Sequence, residues 1–206
     1  MKKFVCLFVA LMLCLSCAAL AESVPSKTVA DLTKVEVSAE NLPAGADFFV
    51  RLVADDEVEY QNEVKVCQNE IAALAQSNSV AEYFGEVKNA NGEVIDLAAV
   101  LESETLNVHE FCPFVAGDYD EAYGKVTAKV AFATPYAKDE KVIVLIGLVT
   151  VDANGNQVIE WVAYEGVGVE AVGAAAEEMG CIQVELDPQI LKAVQEGSAL
   201  LAVVSK

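Results

Sequence analysis

From residue 125 onward apolar and polar side chains alternate. Val126, Ala128, Val130 and Phe132 fall on one side, and Lys125, Thr127 and Lys129 on the other. A period of two marks a strand with one face in a core and one in water. The same period runs through Ile182, Val184 and Leu186 against Gln183 and Glu185, and through Thr33, Val35 and Val37 against Lys34, Glu36 and Ser38. Phe48 to Val53 reads as a further strand, with turn chemistry at Pro43 and Gly45 before it. "KVIVLIGLVTVD" is apolar at almost every position, which predicts a central strand buried on both faces. "ALLAVVSK" reads as a last buried strand. "LNVHEFCPF" predicts a strand broken at Pro113, because proline cannot donate to a ladder.

The period changes in "QNEIAALAQSNSVAEYFG", where Ile71, Leu74 and Ala75 share a helical face. Ser79 is placed to cap a short helical turn through Phe84, and Gly85 to end it. "DPQILKAVQEG" begins with an N-cap aspartate, Asp187, has Pro188 at the first helical position and closes at Gly197. "EGVGVEAVGAAAEEMG" reads as a flexible hairpin tip presenting Glu177 and Glu178, since its glycines lack the Lys-Ser/Thr of a phosphate cradle.

Two stretches resemble each other, "VKNANGEVIDL" at 87–97 and "VDANGNQVIEW" at 151–161. Each sets Asn-Gly between β-branched runs, and Asn-Gly supplies the positive φ that hairpin turns need. Asp152, Asn154, Asn156 and Glu160 also resemble the start of a calcium loop. That loop needs glycine at its sixth position and a bidentate glutamate at its twelfth, where this chain has Gln157 and Ala163. The stretch is therefore expected to be a hairpin. The element pattern predicts a mainly β chain: a small α+β part over residues 31–104, then an immunoglobulin-like antiparallel β-sandwich over 105–206.

The first residues change the expected location. Lys2 and Lys3 precede the apolar run from Phe4, and Ala19-Leu20-Ala21 is a small-x-small site, so residues 1–21 read as a signal peptide cleaved after Ala21. Residues 22–30 form a short polar leader. Lipid attachment at Cys17 is the less favoured alternative, because a cysteine stands where the lipobox expects leucine. The expectation is a secreted or cell-surface protein with no membrane span once the signal is removed. The formal net charge of −19 and a single arginine, Arg51, make a surface that phosphate backbones repel, which excludes nucleic acid as a partner. Cys67, Cys112 and Cys181 are too few and too far apart for a disulfide framework or a Cys-x-x-Cys metal pair, and read as small buried hydrophobes. One bridge with one free thiol stays open.

Candidate chemistry is sparse. His109 is the single histidine, and no Gly-x-Ser-x-Gly elbow offers a serine to it. Cys112, three residues on, is expected on the opposite face of the strand. Carboxylates in "ADDEVE" and in "GDYDEAYG", where Asp118, Asp120 and Glu121 stand, suit weak chelation of calcium, the one cation left open as a cofactor. Tyr119, Tyr123 and Tyr136 are the candidate binding aromatics, while Trp161 is expected in the core. Hydrolysis through paired carboxylates would use Glu110, Asp118, Asp120 or Glu160.

The last 75 residues or so, "FATPYAKDEKVIVLIGLV" through "IEWVAYEGVGVE" and "CIQVELDPQILKAVQEGSALLAVVSK", look like exported proteins of gut-type anaerobic bacteria that carry small β-sandwich modules without an assigned activity. That resemblance implies a secreted or surface location and transfers no functional residue. The expected function is a non-catalytic extracellular interaction module for a protein or glycan. The alternatives are a secreted carboxylate-dependent hydrolase and a weak calcium-stabilised module.

Overall fold

The computed structural model describes residues 35–39, 41–132, 136–170 and 180–206. The expected signal, the leader and the 171–179 part of the glycine-spaced tip lie outside them.

Ten strands form one sheet: β1 (Val35–Ala39), β2 (Phe49–Leu52), β3 (Val87–Asn89), β4 (Val94–Ile95), β5 (Asn107–Gly117), β6 (Val126–Phe132), β7 (Lys141–Val151), β8 (Gln157–Val169), β9 (Gly180–Leu186) and β10 (Ser198–Ser205). The order is β1-β6-β9-β8-β7-β10-β5-β2, antiparallel throughout. β1 and β2, the two ends of that path, lie beside each other, so the sheet curls nearly into a barrel. Helices α1 (Gln61–Gln76), α2 (Val80–Phe84), α3 (Leu97–Leu101) and α4 (Pro188–Glu196) complete the fold.

Two cores explain the sequence pattern. The inner core takes one side of every long strand, including Phe114, Phe132, Val144, Ile182 and Leu201, and is closed by Ile190, Leu191 and Val194 of α4. The outer core lies between the convex face and α1–α3, and takes Phe111, Ile143, Leu145, Trp161 and Leu200. β7 and β10 separate the two cores. Both are apolar on both faces, as expected of central strands. β6 buries every second residue from Val126 to Phe132. In α1, Val64, Cys67 and Leu74 face inward, and Ala75 is exposed.

The mainly β expectation holds, and the two-sheet division of an immunoglobulin-like sandwich gives way to one continuous sheet. Alternation tells which face of a strand is buried but not which neighbour it pairs with, and a sandwich and a curled sheet share that pattern. Three strands from the first half enter the same sheet: β1 pairs with β6, β2 with β5, and β3 with β8. Pro113 does not break its strand. β5 runs through it, and the Pro113 carbonyl accepts from the Val53 amide at 3.0 Å. That edge faces the end of β2, where the ladder needs no donor from residue 113.

Both Asn-Gly stretches are hairpin turns of one geometry. In β7–β8 the Asp152 carboxylate accepts from the amides of Asn154 and Asn156, each at 2.8 Å, and Gly155 has φ +84°. In β3–β4 the Asn89 side chain accepts from Asn91 and Glu93, at 2.9 and 3.0 Å, and Gly92 has φ +80°. The side-chain oxygen at the head of each turn binds two backbone amides and so fixes the turn. Cys67, Cys112 and Cys181 are free and buried. Burial first, and nearby carboxylates second, push the Cys67 thiol up to about 12. Among the described residues no helix is long and apolar enough to cross a membrane.

Candidate functional site

The tyrosines do not form one platform. Past the end of β5, Asp118 adopts φ 56° and turns the chain back so that Tyr119 is buried. The Tyr119 hydroxyl donates to the Gly124 carbonyl at 2.6 Å, and the ring lies 5.4 Å from Phe48 and 6.0 Å from Tyr123. These two tyrosines seal the inner core. Tyr136 is also buried but lies near the start of β5, 6.0 Å from both Phe132 and His109. Roughly 25 Å of extended strand separates the two places.

The loop acids are turned to structural use. Asp120 caps the 3-10 turn Glu121–Tyr123 by accepting from the Ala122 amide at 2.9 Å, and Glu121 pairs with Lys192 at 2.7 Å. Asp118 is exposed. Among the described residues no three His, Cys, Asp or Glu side chains converge in a way suited to a metal. The four acids that hydrolysis would draw on are dispersed. Glu110 is buried near the start of β5, Asp118 and Asp120 follow its other end, and Glu160 lies on β8.

His109 sits at an irregularity. The β10–β5 register shifts between Val203 and Val204, leaving His109 as the extra residue of a bulge. Its Nε2 lies 2.7 Å from the Ser205 Oγ. Burial lowers the imidazole pKa, and the Glu140 charge opposes that shift. Ser205 is 1% exposed, so this hydroxyl is presented to the interior rather than to a substrate. Cys112 is wholly buried and its thiol pKa is driven up by that burial.

A concave feature with several convergent polar groups lies elsewhere, where the sheet splits. β8 pairs with β9 only over Gly166–Val169, and at Val162 and Ala163 its edge passes to β3 in parallel. Between the departing end of β9 and the β3–β4 turn opens a groove of about 890 Å³, walled on one side by Asn91 and on the other by Gln189, Lys192 and Glu196 of α4. A recess of about 360 Å³ shares its floor and reaches Lys88 and Glu160. The floor is pinned by one hydrogen bond, from the Tyr164 hydroxyl to Asp187 Oδ2 at 2.5 Å. Asp187 Oδ1 meanwhile accepts from the Gln189 and Ile190 amides at 2.8 and 3.1 Å. Burial, followed by this bond to a carboxylate, raises the Tyr164 pKa and keeps the phenol protonated.

Three of the five ion pairs among the described residues border the groove or its recess: Lys125–Glu185 and Lys192–Glu121 at 2.7 Å on the groove, and Lys88–Glu160 at 3.8 Å on the recess. In a chain with 13 basic residues against 32 acidic ones this concentration of lysines is local, not general. Sequence reasoning identified the Asn-Gly turn and the Asp187 cap separately. It did not join them, because the parallel β3–β8 contact that brings them together spans two residues and leaves no periodic signal. Comparison with protein-family models, with curated proteins and with solved structures returns no match.

Proposed function

We propose that the chain is an exported, non-catalytic binding module whose partner lies in the groove between the β3–β4 turn and α4. The observation that carries this reading is the groove itself: an open trench of mixed polar and apolar lining, with a hydrogen-bonded floor and paired charges along its walls. Such a surface suits recognition of a polar chain, protein or glycan, more than conversion of one. Catalysis by a carboxylate pair needs one acid held protonated and another free to attack or activate water. Here Asp187 spends both oxygens on Tyr164 and the helix cap, and Glu121 and Glu185 are engaged with lysines. The apolar N-terminal run with its Ala-x-Ala site, and the resemblance of the last 75 residues or so to exported modules, support a secreted or surface location.

Titration of the purified chain with peptide and oligosaccharide panels tests the proposal, read by amide chemical shifts. Shifts confined to Asn91, Gln189 and Lys192 and their neighbours are expected. Binding weakened by Asn91→Ala and Gln189→Ala, at unchanged melting temperature, supports the site. Turnover of any panel member, lost on replacing one carboxylate, refutes the non-catalytic reading.

A further inference from the structure

We infer that the occupant of this groove is a basic, extended peptide segment of a partner protein. The inference rests on the proposed binding function and adds the chemistry of the ligand. Five carboxylates face three ammonium groups across the groove and its recess. The whole molecule, at −19, adds a field of the same sign. An anionic ligand therefore meets repulsion despite the lysines, because each lysine is already held by a glutamate. Those pairs are solvent-exposed, and an exposed pair is weak enough for a competing ammonium or guanidinium to displace. Glu196, beside Lys192 on α4, has no ion pair within 4.0 Å among the described residues and offers a first anchor.

The floor favours a peptide over a sugar. Ala90, Pro188 and Ala193 give small apolar patches on which the methylene stems of lysine or arginine can lie. A glycan platform needs an open aromatic face, and Tyr164, the one ring lining the groove, is 7% exposed and hydrogen-bonded to Asp187. Charge complementarity of this kind governs encounter and specificity more than raw affinity, so moderate binding with strong salt dependence is expected.

The test is fluorescence anisotropy on the folded chain with three labelled ligands: a degenerate lysine- and arginine-rich peptide pool, its glutamate counterpart and a pool of neutral hexasaccharides. The basic pool is expected to bind. Glu196→Gln and Glu185→Gln each weaken it about twofold to fivefold, whereas Glu104→Gln, outside the groove, leaves it unchanged. The sign of a lysine substitution decides the ligand's charge. Lys192→Ala releases Glu121 and is expected to tighten the basic pool about twofold to fivefold. Tighter binding of the glutamate pool, weakened by Lys192→Ala, overturns the inference. Hexasaccharides bound in a groove-dependent way also overturn it, and leave the binding module standing. Equal loss on Glu104→Gln means that the general acidity of the surface does the binding, which again overturns it. No groove-dependent binding by any pool sinks both readings.

Discussion

At the scale of single residues, the glycines inside strands are where the fold is least forgiving. Gly147 lies opposite Trp161 in the β7–β8 ladder, and a Cβ there would come within 2.6 Å of the indole ring. The strand gives up a side chain so that the Trp161 ring can sit over it, in edge-to-face contact with Phe84 and Phe111. Gly168 is tighter, because its Cβ would strike the Ala137 carbonyl oxygen, a backbone atom held by the bonds that tie residues 139 and 140 to Gly168. Gly168→Ala is expected to cost about 1–3 kcal/mol, as overpacking does when the neighbour cannot yield. A urea midpoint within error of the parent's contradicts this packing. His109 makes the second residue-scale prediction. Its pKa is lowered by burial, so below the ordinary value of 6.5 the unfolded chain binds a proton that the folded one resists. The associated stability is complete above that value and is lost as pH falls through and below it. His109→Gln removes this component, so the parent should lose more unfolding free energy than the variant between neutral and mildly acidic pH. A larger loss in the variant would mean that the folded state favours imidazolium.

At the scale of elements, α4 shows what sequence can and cannot give. Asp187 as N-cap, Pro188 after it and the apolar trio Ile190, Leu191 and Val194 are all legible, since capping and helical periodicity are local rules. The alternation of β6 and β9, the doubly apolar β7 and the Asn-Gly hairpins were legible for the same reason. The second use of Asp187 was not. Its Oδ2 receives the Tyr164 hydroxyl, twenty-three residues away on β8, and nothing in a local pattern announces that. Pro113 was misread because its position relative to the end of β2 decides its cost, and that is a property of the assembled sheet. The early start of α1 was hidden because Gln61, Asn62, Glu63, Lys65 and Gln68 dilute the apolar face that Val64 and Cys67 begin. Tyr164 and Asp187 are expected to be energetically coupled. Tyr164→Phe removes one hydrogen bond, a loss of about 1 kcal/mol, while Asp187→Ala also removes the cap and orphans a buried hydroxyl, for about 2–4 kcal/mol. In the double variant the orphan disappears, so the combined loss should fall short of the sum by about 1 kcal/mol or more. Strict additivity in thermal or urea unfolding would show that the two side chains do not share a bond in solution.

At the scale of the whole molecule, two opposing charge effects compete and salt tells which prevails. The described ion pairs, Arg51–Glu57 among them, gain from low ionic strength, but four of the five have side chains that are largely exposed, and such pairs contribute little each. Against them stands mutual repulsion among 32 acidic residues with only 13 basic ones to offset it, gathered into one compact curl. Repulsion acts over the whole surface, and it weakens once the screening length falls to about 10 Å at moderate salt. Sodium chloride is therefore expected to raise the melting temperature steadily through that range. A fall would mean that the pairs outweigh the net charge. Calcium separates a specific site from this general screening. One oxygen each of Asp120 and Glu121, and both of Asp152, already hold amides or lysine, so millimolar calcium at matched ionic strength should add little beyond sodium. A distinct rise, abolished by Asp118→Asn or Asp120→Asn, would instead establish the loop after β5 as a calcium-stabilised element, and the acidic surface as more than a solvated shell.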